Sequence, residues 1–188
     1  MIHLRLYRTL VFSALLGMGA IAHAAQWLQQ PGSTLSFSGT QQGEPFKGAF
    51  GTFQSDVRFD PAALADAHLD VRIDIASADT ANSERDQTML GSDFFDSARF
   101  PKARFTTSAI REVAPGKYEA DAQLSIRDKT VKLKFPFSWQ GDAGSAELLA
   151  QVSLDRLAFG IGTGDWEDEG TVGRTVTVDV RLKLKPKP

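Results

Sequence analysis

The strongest constraint in this sequence is a two-residue alternation of apolar and polar side chains that runs through most of the chain. The clearest case is TVTVDVRLKLK at residues 175–185, and the alternation returns at 69–75 and 131–139. In the first stretch the apolar positions are Val176, Val178, Val180, Leu182 and Leu184. Because successive side chains of a strand point to opposite sides, each stretch is predicted to be a strand with one apolar and one polar face.

About eight such strands can be counted, which favours an all-β sandwich or barrel. Turns are predicted around Pro115-Gly116 and at Arg127-Asp128-Lys129. Pro136 lies inside a predicted strand. Since proline has no backbone N–H, it predicts an edge or a bulge there.

The alternation stops between residues 77 and 101, where a short helical insert is predicted. Thr80 or Asn82 can cap a helix whose first turn carries Glu84 and Asp86. After these, Met89, Leu90, Phe94 and Phe95 recur at roughly helical spacing. We expect one or two helical turns with an apolar face.

The first residues have the form of a signal peptide. Arg5 and Arg8 precede the apolar stretch 9–21, and Ala22-His23-Ala24 fits the small-residue cleavage rule. We therefore predict a signal peptide at residues 1–24 and a single domain at 25–188, the alternative being an uncleaved N-terminal anchor. Either case predicts export, and we expect a periplasmic protein.

The composition excludes several classes of site. The chain has no cysteine, and His68 is the only histidine after the predicted cleavage site. A thiol enzyme, a Cys-based metal site and a His-rich metal site are therefore excluded. The acidic run 165–169 does not match the spacing of an EF-hand loop. No basic stripe indicates nucleic-acid binding. We expect no catalytic activity, metal or cofactor.

Four stretches together resemble the YceI-like family of lipid-binding proteins, also called polyisoprenoid-binding. They are GAFGTFQSDVRFD (48–60), residues 77–107, AQLSIRDKTVKLKF (122–135) and DRLAFGIGTGDW (155–166). The second is the most specific, since it carries Asp79-Thr80, Arg85-Asp86, Asp93-Phe94-Phe95, Phe100-Pro101 and Phe105 in the family's order. The resemblance covers nearly all of residues 25–188.

The resemblance implies an extended lipocalin-like fold, an eight-stranded antiparallel barrel around an apolar tube. It also implies an exported protein that holds a long isoprenoid, quinone-like or polyprenyl, or another amphipathic lipid, without stable membrane insertion. Some members form dimers, so a homodimer is possible. One departure is Arg127-Asp128-Lys129, where the family usually has a glycine near the turn. We expect it to affect the turn and not the cavity.

The candidate lipid-binding residues are mainly aromatic, because phenylalanine suits an apolar wall with no polar group to satisfy. The candidates for the wall are Phe37, Phe50, Phe53, Phe105, Phe135, Trp139, Phe159 and Trp166. The candidates for closing one mouth are Met89, Leu90, Phe94 and Phe95. The alternative for all of them is ordinary packing in a filled core. Arg85 is the head-group candidate, or else pairs with Asp86 to fix the helical insert.

Two other functions remain open from the sequence. An eight-stranded outer-membrane barrel would show the same alternation with its apolar face outward. An enzyme acting on a lipid in the same cavity would need a nucleophile and a base, for which one histidine and no cysteine leave few residues.

Overall fold

The computed structural model describes residues 24–188, which form one antiparallel sheet that closes on itself. Within this range the strands are β1 (Gln26–Gln29), β2 (Thr34–Gln41), β3 (Glu44–Phe50), β4 (Phe53–Arg58), β5 (His68–Asp74), β6 (Ala78–Asp79), β7 (Lys102–Ala114), β8 (Lys117–Ile126), β9 (Lys129–Gly141), β10 (Ala146–Asp155) and β11 (Thr175–Pro186). The α-helix is α1 (Ser83–Leu90). Short 3₁₀ helices lie at Leu64–Asp66, Ile75–Ser77, Arg156–Phe159 and Gly164–Trp166.

These strands occupy eight positions in a closed barrel. β1 and β2 share one position, since both pair with β11. β3 and β4 share the next, because β2 pairs with β3 and β1 with β4. β5 and β6 share the third, and β7 to β11 then follow in chain order. The predicted all-β, eight-stranded antiparallel barrel with a short helical insert is therefore confirmed.

The local predictions for the insert and the turns also agree with the structure. The Asn82 side chain caps α1 by accepting a hydrogen bond from the Arg85 backbone N–H, 3.0 Å away. A turn at Pro115-Gly116 joins β7 to β8, and a two-residue turn at Arg127-Asp128 joins β8 to β9. Among residues 24–188, no helix is long and apolar enough to cross a bilayer. The predicted signal peptide lies outside the described residues, except for Ala24.

One end of the barrel is a solid core, which we call the plug. Its centre is formed by the rings of Trp27, Phe59, Tyr118, Phe137 and Trp139, all buried. The Phe59 ring lies 4.5 Å from the Trp139 ring and 4.9 Å from the Tyr118 ring, measured between centroids. The Trp27 indole N–H donates to the Phe59 carbonyl at 2.8 Å, which satisfies the one polar group of that side chain.

The opposite end of the barrel carries α1, the segment 91–101 and the loop 156–174, which together we call the cap. The helix α1 and the segment 91–101 belong to the connection from β5 to β7, which also contains β6. The loop 156–174 connects β10 to β11. Because all of them leave the barrel at the same end, they cover it.

Candidate functional site

Between the plug and the cap lies an apolar cavity of about 180 Å³. This volume exceeds the ~150 Å³ of an engineered cavity that binds benzene. Its wall comes from every strand position of the barrel: Leu35, Phe37, Phe46, Phe50, Phe53, Leu69, Val71, Ile73, Ile75, Ala103, Phe105, Leu124, Ile126, Leu133, Phe135, Leu148, Val152, Leu154, Val176, Val178, Val180 and Leu182. The cap adds Met89, Phe94, Phe95, Arg156, Phe159, Ile161 and Val172.

The burial of inward-facing residues shows where the solid core stops and the cavity begins. On β11, Leu184 and Leu182 are buried, whereas Val180, Val178 and Val176 are partly exposed although they face inward. The same change occurs on β10 after Leu148 and on β9 before Phe135. Inward side chains on neighbouring strands therefore border open space from this level up to the cap.

The cavity is elongated along the strands. On β11 the lining residues run from Val176 to Leu182, and on β10 from Leu148 to Leu154. Six residues of strand span ~20 Å, because a strand rises about 3.3 Å per residue. Strands in a closed barrel tilt by about 35–45°, so the path along the barrel axis is shorter, roughly 15 Å. The shape suits a slender apolar chain.

The cap closes one end of the cavity with apolar side chains. Met89 packs with Phe37 and Ala78, and Phe94 packs with Phe159 and Ile161. The α1 helix therefore turns its buried residue toward the barrel, as the sequence pattern indicated.

Among residues 24–188, Arg156 is the one charged residue that lines the cavity, and it holds the cap together. It is 3 % exposed. Its guanidinium donates to the carbonyls of Gly173 (3.1 Å), Ile161 (2.9 Å), Gly162 (2.5 Å), Trp166 (2.5 Å) and Val172 (2.8 Å). Burial lowers the pKa of Arg156, because desolvation disfavours its charged form. Since its donors are already engaged, its role is to organise the loop around itself.

The turn residue Arg127 reaches further than we expected from the sequence. It adopts a positive φ of 55° at the tip of the β8–β9 hairpin. Its guanidinium donates to the carbonyls of Phe94 (2.8 Å) and Gly160 (2.7 Å). It therefore ties the segment 91–101 and the loop 156–174 to the barrel, so the side chain acts beyond its own turn, while Arg127 itself is not among the residues that line the cavity.

Most of the predicted lipid-binding residues meet in the cavity wall. Those that line it are Phe37, Phe50, Phe53, Met89, Phe94, Phe95, Phe105, Phe135 and Phe159. Three do not. Trp139 lies in the plug, 5.2 Å from Trp27 between ring centroids. Leu90 is half-buried against the cluster that contains Leu35 and Ile75. The Trp166 ring packs against the ring of Phe94, with 5.3 Å between the centroids.

Arg85 lies outside the cavity lining and anchors α1 to the barrel. Its Nε donates to Gln41 Oε1 at 2.9 Å, and its guanidinium lies 4.5 Å above the ring of Phe46. The Asp86 carboxylate accepts hydrogen bonds from the backbone N–H and from the hydroxyl of Thr80. Arg85 and Asp86 thus fix the insert through separate partners and not by pairing with each other.

Sequence reasoning missed much of the wall because it gave weight to aromatic residues. The wall is largely aliphatic, and Val71, Val152, Val178 and Leu154 occupy inward positions. The alternation that predicted the strands places these residues on the apolar face, so that signal could have found them. No sequence pattern indicates the role of Arg156.

Comparison with known protein families matches residues 27–184 to the YceI-like domain. The chain belongs to the YceI-like family. The match extends from the first strand to the last, so the resemblance seen in the four sequence stretches is confirmed.

Three relatives illustrate the similarity. The crystal structure of BcnA from Burkholderia cenocepacia is 30 % identical, with a TM-score of 0.77 over 80 % of this chain and 95 % of its own. A UPF0312 protein of Vibrio parahaemolyticus is 29 % identical over 157 residues, which are 81 % of this chain and 80 % of that protein. A polyisoprenoid binding domain from Saccharophagus degradans has 16 % identity and a TM-score of 0.70, over 88 % of this chain and 100 % of its own, so it shares the fold.

The outer face of the barrel is polar and carries ion pairs between neighbouring strands. Arg104 pairs with Asp70, and Arg181 with Glu147, both at 2.6 Å. A charged outside and an apolar inside are the reverse of what a barrel with a lipid-facing outer wall requires. Within residues 24–188, no group of three or more His, Asp or Glu side chains is placed to hold a metal ion.

Proposed function

We propose that this protein is a periplasmic carrier that binds the apolar tail of a long isoprenoid or another amphipathic lipid, without chemical conversion. The single observation that carries the proposal is the elongated cavity, whose wall, as the described residues form it, is apolar except for Arg156, and all five donors of that side chain are already bonded to carbonyls. The related domain from Saccharophagus degradans, described as polyisoprenoid binding, supports the ligand class. The signal-like segment at residues 1–24 supports the location.

The mechanism is the transfer of a tail from water or membrane into a protein wall. Each buried methylene contributes about 0.8 kcal/mol, so one five-carbon isoprene unit contributes roughly 4 kcal/mol. Part of this is lost to the ordering of the tail and to lost translational freedom. Two or three buried units contribute roughly 8–12 kcal/mol before these costs are subtracted, so affinity is expected to rise with the length of tail that the cavity holds. Catalysis is not part of the proposal, because the residues between 24 and 188 that line the cavity include no hydroxyl, carboxylate or imidazole side chain to act as nucleophile or base.

The first test is the identity of the natural ligand. The protein is purified from its own host without detergent, examined by native mass spectrometry, and extracted with organic solvent. We expect a co-purifying lipid with an apolar tail. If nothing co-purifies and neither farnesol nor all-trans-retinol binds, the carrier function is refuted.

A matched pair of variants tests whether the cavity is the site. Val178→Trp fills the cavity, since Val178 lies in register between Phe37 of β2 and Val152 of β10. Thr177→Trp adds the same side chain to the adjacent position, which faces outward. We expect Val178→Trp to abolish retinol binding and Thr177→Trp to retain it. Equal binding by both would place the ligand outside the barrel.

A further inference from the structure

The barrel wall is interrupted between β9 and β10. These strands pair from Gly141–Ala146 to Phe137–Ala150. Beyond that point, residues 129–136 of β9 and residues 151–155 of β10 form no ladder with each other in the part of the chain that the structure describes. We call these two facing stretches the seam.

The seam begins at Pro136, which the sequence indicated as an edge or a bulge. β9 stays paired with β8 through Glu119–Pro136 and on to Ile126–Lys129. β10 likewise stays paired with β11 as far as Asp155–Thr175. The divergence is therefore confined to the seam. Proline lacks a backbone N–H, and since the ladder to β8 continues past it, the missing donor weakens the side that faces β10.

The inner edges of the seam are part of the cavity wall. Leu133 and Phe135 on β9 and Val152 and Leu154 on β10 all line the cavity. Phe159 of the cap packs against this wall at its upper end, next to Leu133 and Leu154. The 3₁₀ turn that carries Phe159 also contacts β9, so it covers part of the seam, and the partly exposed Leu133 and Val152 border the remainder.

The cap is a less favourable entrance than the seam. Arg156 donates to five carbonyls within the loop 156–174, and Arg127 ties that loop and the segment 91–101 to the β8–β9 turn. The Asp93 carbonyl also accepts from the N–H of Gly162 at 2.7 Å. The loop 156–174 is also tied to the β2–β3 end of the barrel, because the Gln42 N–H donates to the Thr171 carbonyl and the Gly173 N–H donates to the Thr40 carbonyl, both at 2.9 Å. Lifting the cap breaks these bonds and the two from Arg127, whereas widening the seam breaks no ladder bond.

We infer that the seam is a lateral entrance through which the apolar tail of the lipid reaches the cavity while the cap stays closed. The polar end of the lipid then stays at the outer surface, where Lys134, Gln151 and Ser153 are exposed. This inference rests on the proposed function, since it assigns the route to the same cavity.

The test is a crosslink across the seam. Continuing the β9–β10 register past Phe137–Ala150 brings Lys134 opposite Ser153, both facing outward. The chain has no cysteine. The double variant Lys134→Cys/Ser153→Cys can therefore be joined by a short bis-thiol reagent at one defined place, with completion checked by intact mass. The matched control is Ser138→Cys/Leu149→Cys, joined in the same way, because these residues are already paired below the seam.

The readout is the kinetics of all-trans-retinol binding, followed by stopped-flow fluorescence. For the seam crosslink we expect association and dissociation to slow together by about tenfold or more, with Kd changed by less than about twofold, because an entrance changes rates and not equilibria. The control crosslink should leave both rates within about twofold of the uncrosslinked protein. Unchanged rates in the fully crosslinked seam variant would overturn the inference. Faster exchange in Arg127→Met with no effect of the seam crosslink would also overturn it, and would assign the entrance to the cap.

A measurement without ligand separates this inference from the proposed function. By hydrogen exchange, amides at 131–135 and 151–154 should exchange faster than those at 137–140 and 147–150. Equal protection would show that the seam is closed in solution and would overturn the entrance alone. If the uncrosslinked protein binds neither retinol nor farnesol and no lipid co-purifies with it, the carrier function is overturned, and the entrance with it, even if the seam exchanges fast.

Discussion

Two leucines that both face into the barrel are expected to differ when truncated to alanine, one affecting mainly stability and the other mainly ligand binding. Leu184 of β11 belongs to the plug and is 1 % exposed. Leu154 of β10 lines the cavity and is partly exposed. We predict that Leu184→Ala lowers stability strongly and leaves ligand binding unchanged. Leu154→Ala should lower stability slightly and weaken binding.

The magnitudes depend on the surroundings of each side chain. Leu184→Ala opens a new void in a filled core, and such changes cost about 2.7–5 kcal/mol. Leu154→Ala removes three carbons that already border open space, so part of their burial is absent and only the contact with the Phe159 cluster is lost. We expect roughly 1–2 kcal/mol. A bound tail would lose a similar amount of contact, which is about a tenfold weaker Kd.

Urea unfolding followed by tryptophan fluorescence measures the first effect, since Trp27 and Trp139 lie in the plug. In a domain of this size, a loss of about 3 kcal/mol corresponds to a fall in Tm of roughly 6–12 °C. Retinol titration measures the second effect. If both variants lose the same free energy of unfolding and bind retinol equally, the upper half of the barrel is as solid as the plug, and the argument from burial fails.

Three further outcomes are expected. Arg156→Met removes five hydrogen bonds to carbonyls and should lower the free energy of unfolding by about 3 kcal/mol or more and speed hydrogen exchange at 160–173. The control Arg174→Met removes only an exposed ion pair with Asp155 and should leave the urea midpoint nearly unchanged. The hydrogen bond from Arg104 lowers the pKa of Asp70, so this pair stabilises the fold above about pH 5 and the contribution is lost as pH falls through the lowered pKa. Asp70→Asn should therefore cost up to about 1 kcal/mol at about pH 7 and little at about pH 2, measured by urea midpoints. Burial raises the pKa of Tyr118, so the unfolded chain ionises first and stability should fall above about pH 10, less so in Tyr118→Phe.

The aromatic residues show how far the sequence could go in locating the site. Phe135 and Phe137 lie two residues apart on one face of β9, and both are buried. The first lines the cavity, whereas the second belongs to the plug. Alternation determines which side of the sheet a residue faces, but it carries no information on its height along the barrel. That height depends on the register between strands, which pairs residues distant in sequence.

The sequence by itself determined the set of strands, their inward faces, the capped helix and the interruption at Pro136. These features obey local rules, because a strand has a period of two, Asn82 can cap only a helix that begins directly after it, and proline lacks an N–H wherever it lies. Only the tertiary structure decided that Arg127 and Arg156 hold the cap and that the barrel is solid at one end and hollow at the other. Those properties depend on which carbonyls and side chains the closed barrel brings together, and no local pattern records them.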